Sequence, residues 1–333
     1  MDVAQRAACE RARQRRQPDD ERRQRGVSDR SQSDDYNLPA VDDARARFTD
    51  LDDLTDVVLD AAADGDVEPV VLTLLLRRYR ATGRDDLTEI LGPALARGVE
   101  TSRSAAGCAA RARWLEAFVA AAPLSSDPRM LSAIEDLVTA LRGEWKRTDR
   151  VADLLTSIDA CLQATTAFEA PGLVRDAIDE LERVMGATYR PGYGVASAMD
   201  GMGGGRLLAD QILGASALVT ACVGTARLPY GMLAEELMQF ARRSFWDSDA
   251  GAFADGGDPD AMFAANCDAA RVLCRLSRLI ADDAYRSGAV IAPDADYRAD
   301  ASRILTSQLD AARTGAARAA PYALALDDWL SLR

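Results

Sequence analysis

The sequence predicts an all-α fold in which an inner ring of helices is wrapped by an outer one. Three observations carry that expectation. Past residue 50, apolar residues recur at spacings of three and four, and convincing period-two alternation is confined to one short loop. Two kinds of helical segment take turns, one with a single apolar stripe and one apolar on nearly every side. Segments also come in pairs with a period of about 45–60 residues, as in repeated helical hairpins.

Residues 1 to about 45 are rich in Arg, Gln, Asp and Ser and nearly free of large aliphatics, so they are expected to be a disordered or weakly helical tail. Residues 46–333 form the expected helical domain, with helix starts near 50, 67, 85, 103, 128, 150, 171, 206, 230, 260, 296 and 321. These twelve helices make six hairpins. PVVLTLLLRRY is apolar until Arg77 and reads as a covered helix. MLSAIEDLVTALRGEW sets Met130, Ile134, Leu137, Val138, Leu141 and Trp145 on one stripe. PGLVRDAIDELERVM does the same with Leu173, Ala177, Ile178, Leu181 and Met185, and Pro171 suits a first turn. LLADQILGASALVTACVG is covered again, with only Asp210, Gln211, Ser216 and Thr220 polar. LAEELMQFARRSF turns Leu233, Leu237, Phe240 and Ala241 inward, and Glu235, Glu236, Gln239, Arg242 and Arg243 outward. Small residues close one helix and a polar or proline start opens the next in RYRATGRDDL, VAAAPLSSDPRML, QATTAFEAPGL and VGTARLPYGML.

FWDSDAGAFAD follows the last of these outer helices. Its aspartates suit a turn, and Gly251 to Asp255 alternate like a short strand. A small hairpin with Trp246 and Phe253 packed beneath it is expected. A calcium loop is not, because the glycine falls at loop position five, where an oxygen ligand is needed, rather than six.

Composition narrows the chemistry. The net charge is −13 and the pI about 4.7, which argues against a nucleic-acid partner. No apolar run reads as a membrane span, and the N-terminus lacks the apolar core of a secretory signal, so a cytoplasmic location is expected. There are no histidines and six cysteines without a CxxC pair. Histidine-dependent nucleophiles, bases and metal sites are therefore excluded, and no metal or cofactor is expected. Cys267 and Cys274, seven apart in an apolar helix, read as core. GMGGGR lacks the strand before it and the Lys-Ser/Thr after it that a phosphate loop requires.

LLADQILGASALVTACVGTARLPYGMLAEELMQFARRSFWDSDAGAFAD, with the GDPDAMFAANCDAARVLCRL that follows, resembles the C-terminal six-hairpin toroid of spermatogenesis-associated, thioredoxin-like proteins. N-acylglucosamine 2-epimerases are similar more distantly. The resemblance covers about residues 200–280 and implies an (α/α)6 toroid, six-hairpin glycosidase-like. Three departures accompany it. The polar tail cannot be the thioredoxin-like domain that precedes the toroid in that family. Phe263-Ala-Ala-Asn266-Cys267 stands where the family reads Pro-Ser-x-Asn-Ser, and the absence of histidine rules out the epimerase mechanism.

In such a toroid the inner-helix ends and their loops form a funnel. Asp200, Arg206, Asp210, Gln211 and Asn266 would face it, with Tyr189, Tyr193 and Trp246 near the rim. The candidate ligand-binding set is Asp200, Arg206, Asp210, Gln211, Trp246 and Asn266. Each has a structural reading too: Asp210 in a first turn favours the helix dipole, Asn266 could tie a loop to a helix start, and Asp200 suits a turn. The function expected is a binding or regulatory module with a polar funnel for a small polyhydroxylated, carbohydrate-like ligand. The alternative is a carbohydrate-active enzyme working with Asp carboxylates and no histidine. A structural protein using its outer surface is a third class.

Overall fold

The computed structural model describes residues 41–63, 67–168, 170–201 and 206–332. Most of the expected polar tail lies outside the described residues. The outer layer is α1 (Val41–Ala63), α3 (Asp85–Ser102), α5 (Pro128–Glu144), α7 (Leu173–Thr188), α9 (Leu228–Phe245) and α12 (Tyr297–Ala312). The inner layer is α2 (Pro69–Thr82), α4 (Gly107–Ala121), α6 (Val151–Ala164), α8 (Leu208–Thr225), α10 (Pro259–Ala281) and α13 (Ala316–Leu330). A short helix, α11 (Asp283–Gly288), lies between α10 and α12. The twelve long helices are those the periodicity predicts, with starts shifted by a few residues. α1 begins earliest relative to expectation, and α11 was not foreseen.

Each inner helix packs on the next around the series α2, α4, α6, α8, α10 and α13, and α13 returns to α2. Every outer helix rests on two successive inner ones, as α5 does on α4 and α6 and α9 on α8 and α10. The sequence determines which layer a helix joins. α7 buries one stripe, including Ala177, Ile178, Leu181 and Val184, whereas α8 buries Leu208, Ile212, Ala215, Leu218, Val219 and Cys222 on several sides. By length and composition α8 could cross a membrane, but here it is a mostly buried member of the inner ring. Aspartate caps start several helices. Asp127 accepts from Arg129 N at 2.9 Å before α5, and Asp296 from Ala299 N at 2.9 Å before α12.

Strand is confined to four segments of two residues among the described residues. β1 (Tyr189–Arg190) pairs antiparallel with β2 (Gly194–Val195), and β3 (Trp246–Asp247) with β4 (Ala252–Phe253). Each hairpin follows an outer helix and precedes an inner one, so both stand at the end of the ring where inner helices begin. Trp246 packs edge-on against Phe253 at 5.1 Å, as expected. Cys267 and Cys274 are buried in the core. One expectation fails on α9: Glu235 points inward and is fully buried, accepting hydrogen bonds from Tyr285 Oη at 2.6 Å and Tyr297 Oη at 3.2 Å. α11 carries Tyr285 to that position, against Gly231, where a side chain would collide with the ring.

Candidate active site

Gln211 and Asn266 perform the same task twice. Val195 N donates to Gln211 Oε1 at 2.8 Å, and Gln211 Nε2 donates to Val195 O at 2.9 Å. Phe253 N donates to Asn266 Oδ1 at 2.9 Å, and Asn266 Nδ2 donates to Phe253 O at 3.0 Å. A primary amide offers an acceptor and two donors, which match one residue's backbone N–H and C=O. The second strand of each hairpin is thereby clamped to an inner helix. The remaining amide hydrogens go to Leu207 O and Met262 O, one turn back on each helix. Asp210, beside the first clamp, accepts from Ser197 Oγ at 2.5 Å; burial raises its pKa against that hydrogen bond.

The structure brings all six sequence-predicted residues to the hairpin end, on three footings. Asp210, Gln211 and Asn266 are buried in these joints. Trp246 is half-buried between Phe253 and the Arg242 guanidinium. Asp200 and Arg206 lie on the loop into α8, Asp200 exposed and Arg206 stacked 5.6 Å over the Tyr193 ring. Two surface grooves, about 400 and 280 Å³, run along Ser244–Asp249 and beside Pro293–Tyr297, away from the lumen charges described next.

A second set of polar side chains occupies the lumen. Arg271 on α10 donates to Glu116 Oε1 on α4 at 2.8 Å. These helices are three places apart in a ring of six, so the bridge spans the lumen. Arg271 Nε also donates to Asp328 Oδ2 on α13 at 3.3 Å, and Arg77 on α2 donates to the other oxygen of Asp328 at 3.0 Å. On the opposite wall, Asp159 on α6 accepts from Ser216 Oγ at 2.6 Å and Thr220 Oγ1 at 2.5 Å on α8. Arg275 on α10 donates to the same two hydroxyls at 3.0 and 2.6 Å. All six inner helices contribute.

One turn nearer the hairpin end stand Asp268 on α10 and Arg113 on α4. Three residues separate Asp268 from Arg271 and Arg113 from Glu116, about 4.5 Å of helix rise in each case. Both are exposed to solvent, and neither makes a hydrogen bond or ion pair among the described residues. Asp268 and Arg113 thus stand on the hairpin side of the Arg271–Glu116 bridge, which floors a cup at that end of the lumen. Small residues stand above the charges on the same helical stripes: Ala109 on α4, Ala264 on α10 and Ala209 on α8.

The two carboxylates across this cup are driven in opposite directions. The surrounding inner helices partly desolvate Asp268 and raise its pKa although solvent still reaches it, and Glu116 and Asp159 add to the rise, outweighing the pull of Arg271 and Arg113. Burial also acts to raise Glu116, but the attraction and hydrogen bond of Arg271, together with Arg77, hold it below the usual range. Carboxylates separated in this way are the pattern of an acid and its charged partner. Arg275 is pushed down by burial, and among the described residues no carboxylate lies within ion-pairing distance of it.

The sequence contained a sign of this set. Ser216 and Thr220 stand out on α8, and Asp268, Arg271 and Arg275 form a 3–4 spaced polar stripe on α10. Asp268 is two residues past Asn266, about 3 Å along the axis. What single-sequence reading lacks is the closure of the ring, which turns that stripe toward Glu116.

No family model and no curated protein matches the chain. Solved structures do. An unsaturated glucuronyl hydrolase from Streptococcus agalactiae, complexed with dGlcA-GalNAc6S, is similar with a TM-score of 0.64 at 12% identity, covering 89% of this chain and 94% of that one. An unsaturated glucuronyl hydrolase specific for heparin gives 0.61 at 13% identity, over 84% and 97%. A third, from Bacillus sp. GL1, gives 0.60 at 12%, over 80% and 84%. At such identities the likeness shows architecture alone, and it agrees with the closed double ring of helices: the chain is an (α/α)6 toroid.

Proposed function

We propose that the chain is a carbohydrate-active enzyme whose site is the cup in the lumen, with Asp268 as proton donor and Glu116 as its ionised partner. The observation that carries this reading is the placement of Asp268, a solvent-exposed carboxyl with no hydrogen bond or ion pair among the described residues, one turn above a carboxylate held by arginine. With no histidine in the chain, proton transfer falls to carboxyl groups. Protonated Asp268 would donate to the oxygen leaving the anomeric carbon. Ionised Glu116 would steady the positive charge that develops there, or take the proton from an attacking water. Arg113 and Arg275, which have no carboxylate in ion-pairing distance among the described residues, suit a sugar bearing an anionic group. The fold neighbours, named for hydrolysis of unsaturated glucuronides, support a substrate of that class. The narrower resemblance of residues 200–280 to the spermatogenesis-associated toroids agrees with the ring and adds no activity.

The test is turnover of a panel of neutral, uronic and unsaturated uronic oligosaccharides, with Asp268→Asn alongside the native chain. Product release that the variant loses, with a melting temperature no lower than that of the native chain, supports the reading. Turnover that survives Asp268→Asn overturns it. The bridge across the lumen favours a second reading, a shallow binding module. Sugar-induced thermal shifts that Asp268→Asn abolishes, without turnover by the native chain, would establish that one instead.

A further inference from the structure

We infer that Arg271 is a positioning residue for this site: anchored from behind by Asp328, which Arg77 grips in turn, it fixes Glu116 as the permanently charged partner of Asp268. The inference rests on the reading of the cup as an active site.

The geometry is a ladder of alternating charge. From the lumen outward it runs through Glu116, Arg271, Asp328, Arg77, Asp327, Arg78 and Asp52, crossing α4, α10, α13, α2 and α1. The successive separations are 2.8, 3.3, 3.0, 3.9, 3.8 and 2.6 Å. An arginine bound to one carboxylate can swing about it. The planar guanidinium of Arg271 meets carboxylates along two of its edges, Nε toward Asp328 and Nη2 toward Glu116, which leaves a single orientation. A lysine at this position would offer one point charge and could not hold both.

The charged groups facing Glu116 from each direction are few. Its own helix presents Arg113, α10 presents Arg271 and Asp268, α2 presents Arg77 and α13 presents Asp328, while Asp159 on α6 is engaged by Ser216 and Thr220. On the outer side of α4, Arg111 is paired with Glu144 of α5 at 3.0 Å. Arg271 alone touches the Glu116 carboxylate among the described residues, so control of its charge is concentrated in one side chain.

The experiment is a carboxyl titration by NMR of the ligand-free full chain with ¹³C-labelled Asp and Glu, comparing native protein with Arg271→Met, Arg271→Lys and Asp52→Asn. Arg271→Met is expected to raise the Glu116 midpoint by about one pH unit or more, tenfold in proton affinity. Arg271→Lys should recover part of that shift and serves if the methionine variant does not fold. Asp52→Asn breaks the far rung of the ladder and should leave Glu116 where it was. If a substrate is found, the acid limb of kcat should move with the Glu116 midpoint. A Glu116 midpoint unmoved in both Arg271 variants overturns the inference, as does an equal shift in Asp52→Asn. Because the titration needs no substrate, absence of turnover in the native chain would defeat the proposed function and leave this answer standing.

Discussion

The Arg271 guanidinium and the Glu116 carboxylate meet at 2.8 Å although their helices face one another across a six-membered ring. Only a closed inner ring brings residues 155 positions apart into that contact. The bridge divides the lumen into a cup on the hairpin side and a charged floor beneath it.

Replacing Asp268 by Asn should leave the fold intact and raise stability slightly at neutral pH, the gain being small because solvent reaches and screens the carboxylate. The folded-state pKa of Asp268 lies above the unfolded value, so ionisation costs the native protein more than the unfolded chain. Below the ordinary aspartate range both states are protonated and the variant gains nothing. As pH rises through the folded-state value, the native chain loses stability relative to the variant. Denaturant midpoints across pH measure this, and a variant less stable at pH 7 would contradict it.

Glu116 and Asp328 carry the opposite sign. Burial acts to raise Asp328 as well, but Arg77, Arg271 and Arg278 hold it below its usual range. The stability they contribute is present above the unfolded values and is lost as pH falls through the depressed ones. Glu116→Gln with Asp328→Asn should flatten the acid limb of the stability profile and cost about 1.5–3 kcal/mol at pH 7, the range for hydrogen bonds to charged groups. An acid limb as steep as in the native chain would rule this out.

Asn266→Ala strips the partners from two buried backbone groups of Phe253. The expected loss is about 2–6 kcal/mol, at roughly 1–3 kcal/mol per group, with faster hydrogen exchange at the Phe253 amide. Gln211→Ala should do the same at Val195. If either variant keeps full stability but loses sugar-induced thermal shifts, the amide binds ligand rather than holding a joint.

Gly231→Ala would place a methyl group 2.5 Å from the Tyr285 ring. Overpacking of this kind costs about 1–3 kcal/mol, and Tyr285→Ala in the same chain should relieve the steric part. Failure of the double variant to show that coupling would mean that α11 is not seated by this contact.

Five cysteines should resist alkylation in the native state. Burial pushes Cys108 up to about 11 and Cys161 up to about 12, and raises Cys222, Cys267 and Cys274 as well. The thiolate is the reactive form. Mass-spectrometric mapping of labelled sites tests this, and rapid native labelling at any of the five would refute it.

The fold was legible because its two layers write different patterns. The one-stripe α5 and α7 and the many-sided α8 identify outer and inner rings without a contact map. FWDSDAGAFAD likewise revealed β3 and β4, since turn aspartates and alternation are local signals. Glu235 was misread because an outward place in the stripe does not anticipate a short helix laid over it. Asp210, Gln211 and Asn266 stood out as polar exceptions in apolar surroundings, a description that fits a joint as well as a ligand site. Asp268 and Glu116 did not stand out, because a charge on one face of a helix looks like a solvated surface until the opposite wall is known.

The return of α13 to α2 also orders the folding of the chain. Arg77 pairs with Asp328 over 251 positions and Arg313 with Asp50 over 263. Such distant pairings bear the largest loop-closure entropy, whereas hairpins between successive helices form cheaply. Until the last inner helix arrives, the ring is an open crescent with the apolar walls of α2 and α10 uncovered at its two tips. The crescent is the species most exposed to aggregation, and pulse-labelled refolding should find the amides of α13 and α2 protected together, after those of α8 and α9. Early protection of α13 would show instead that the ring is templated from its ends.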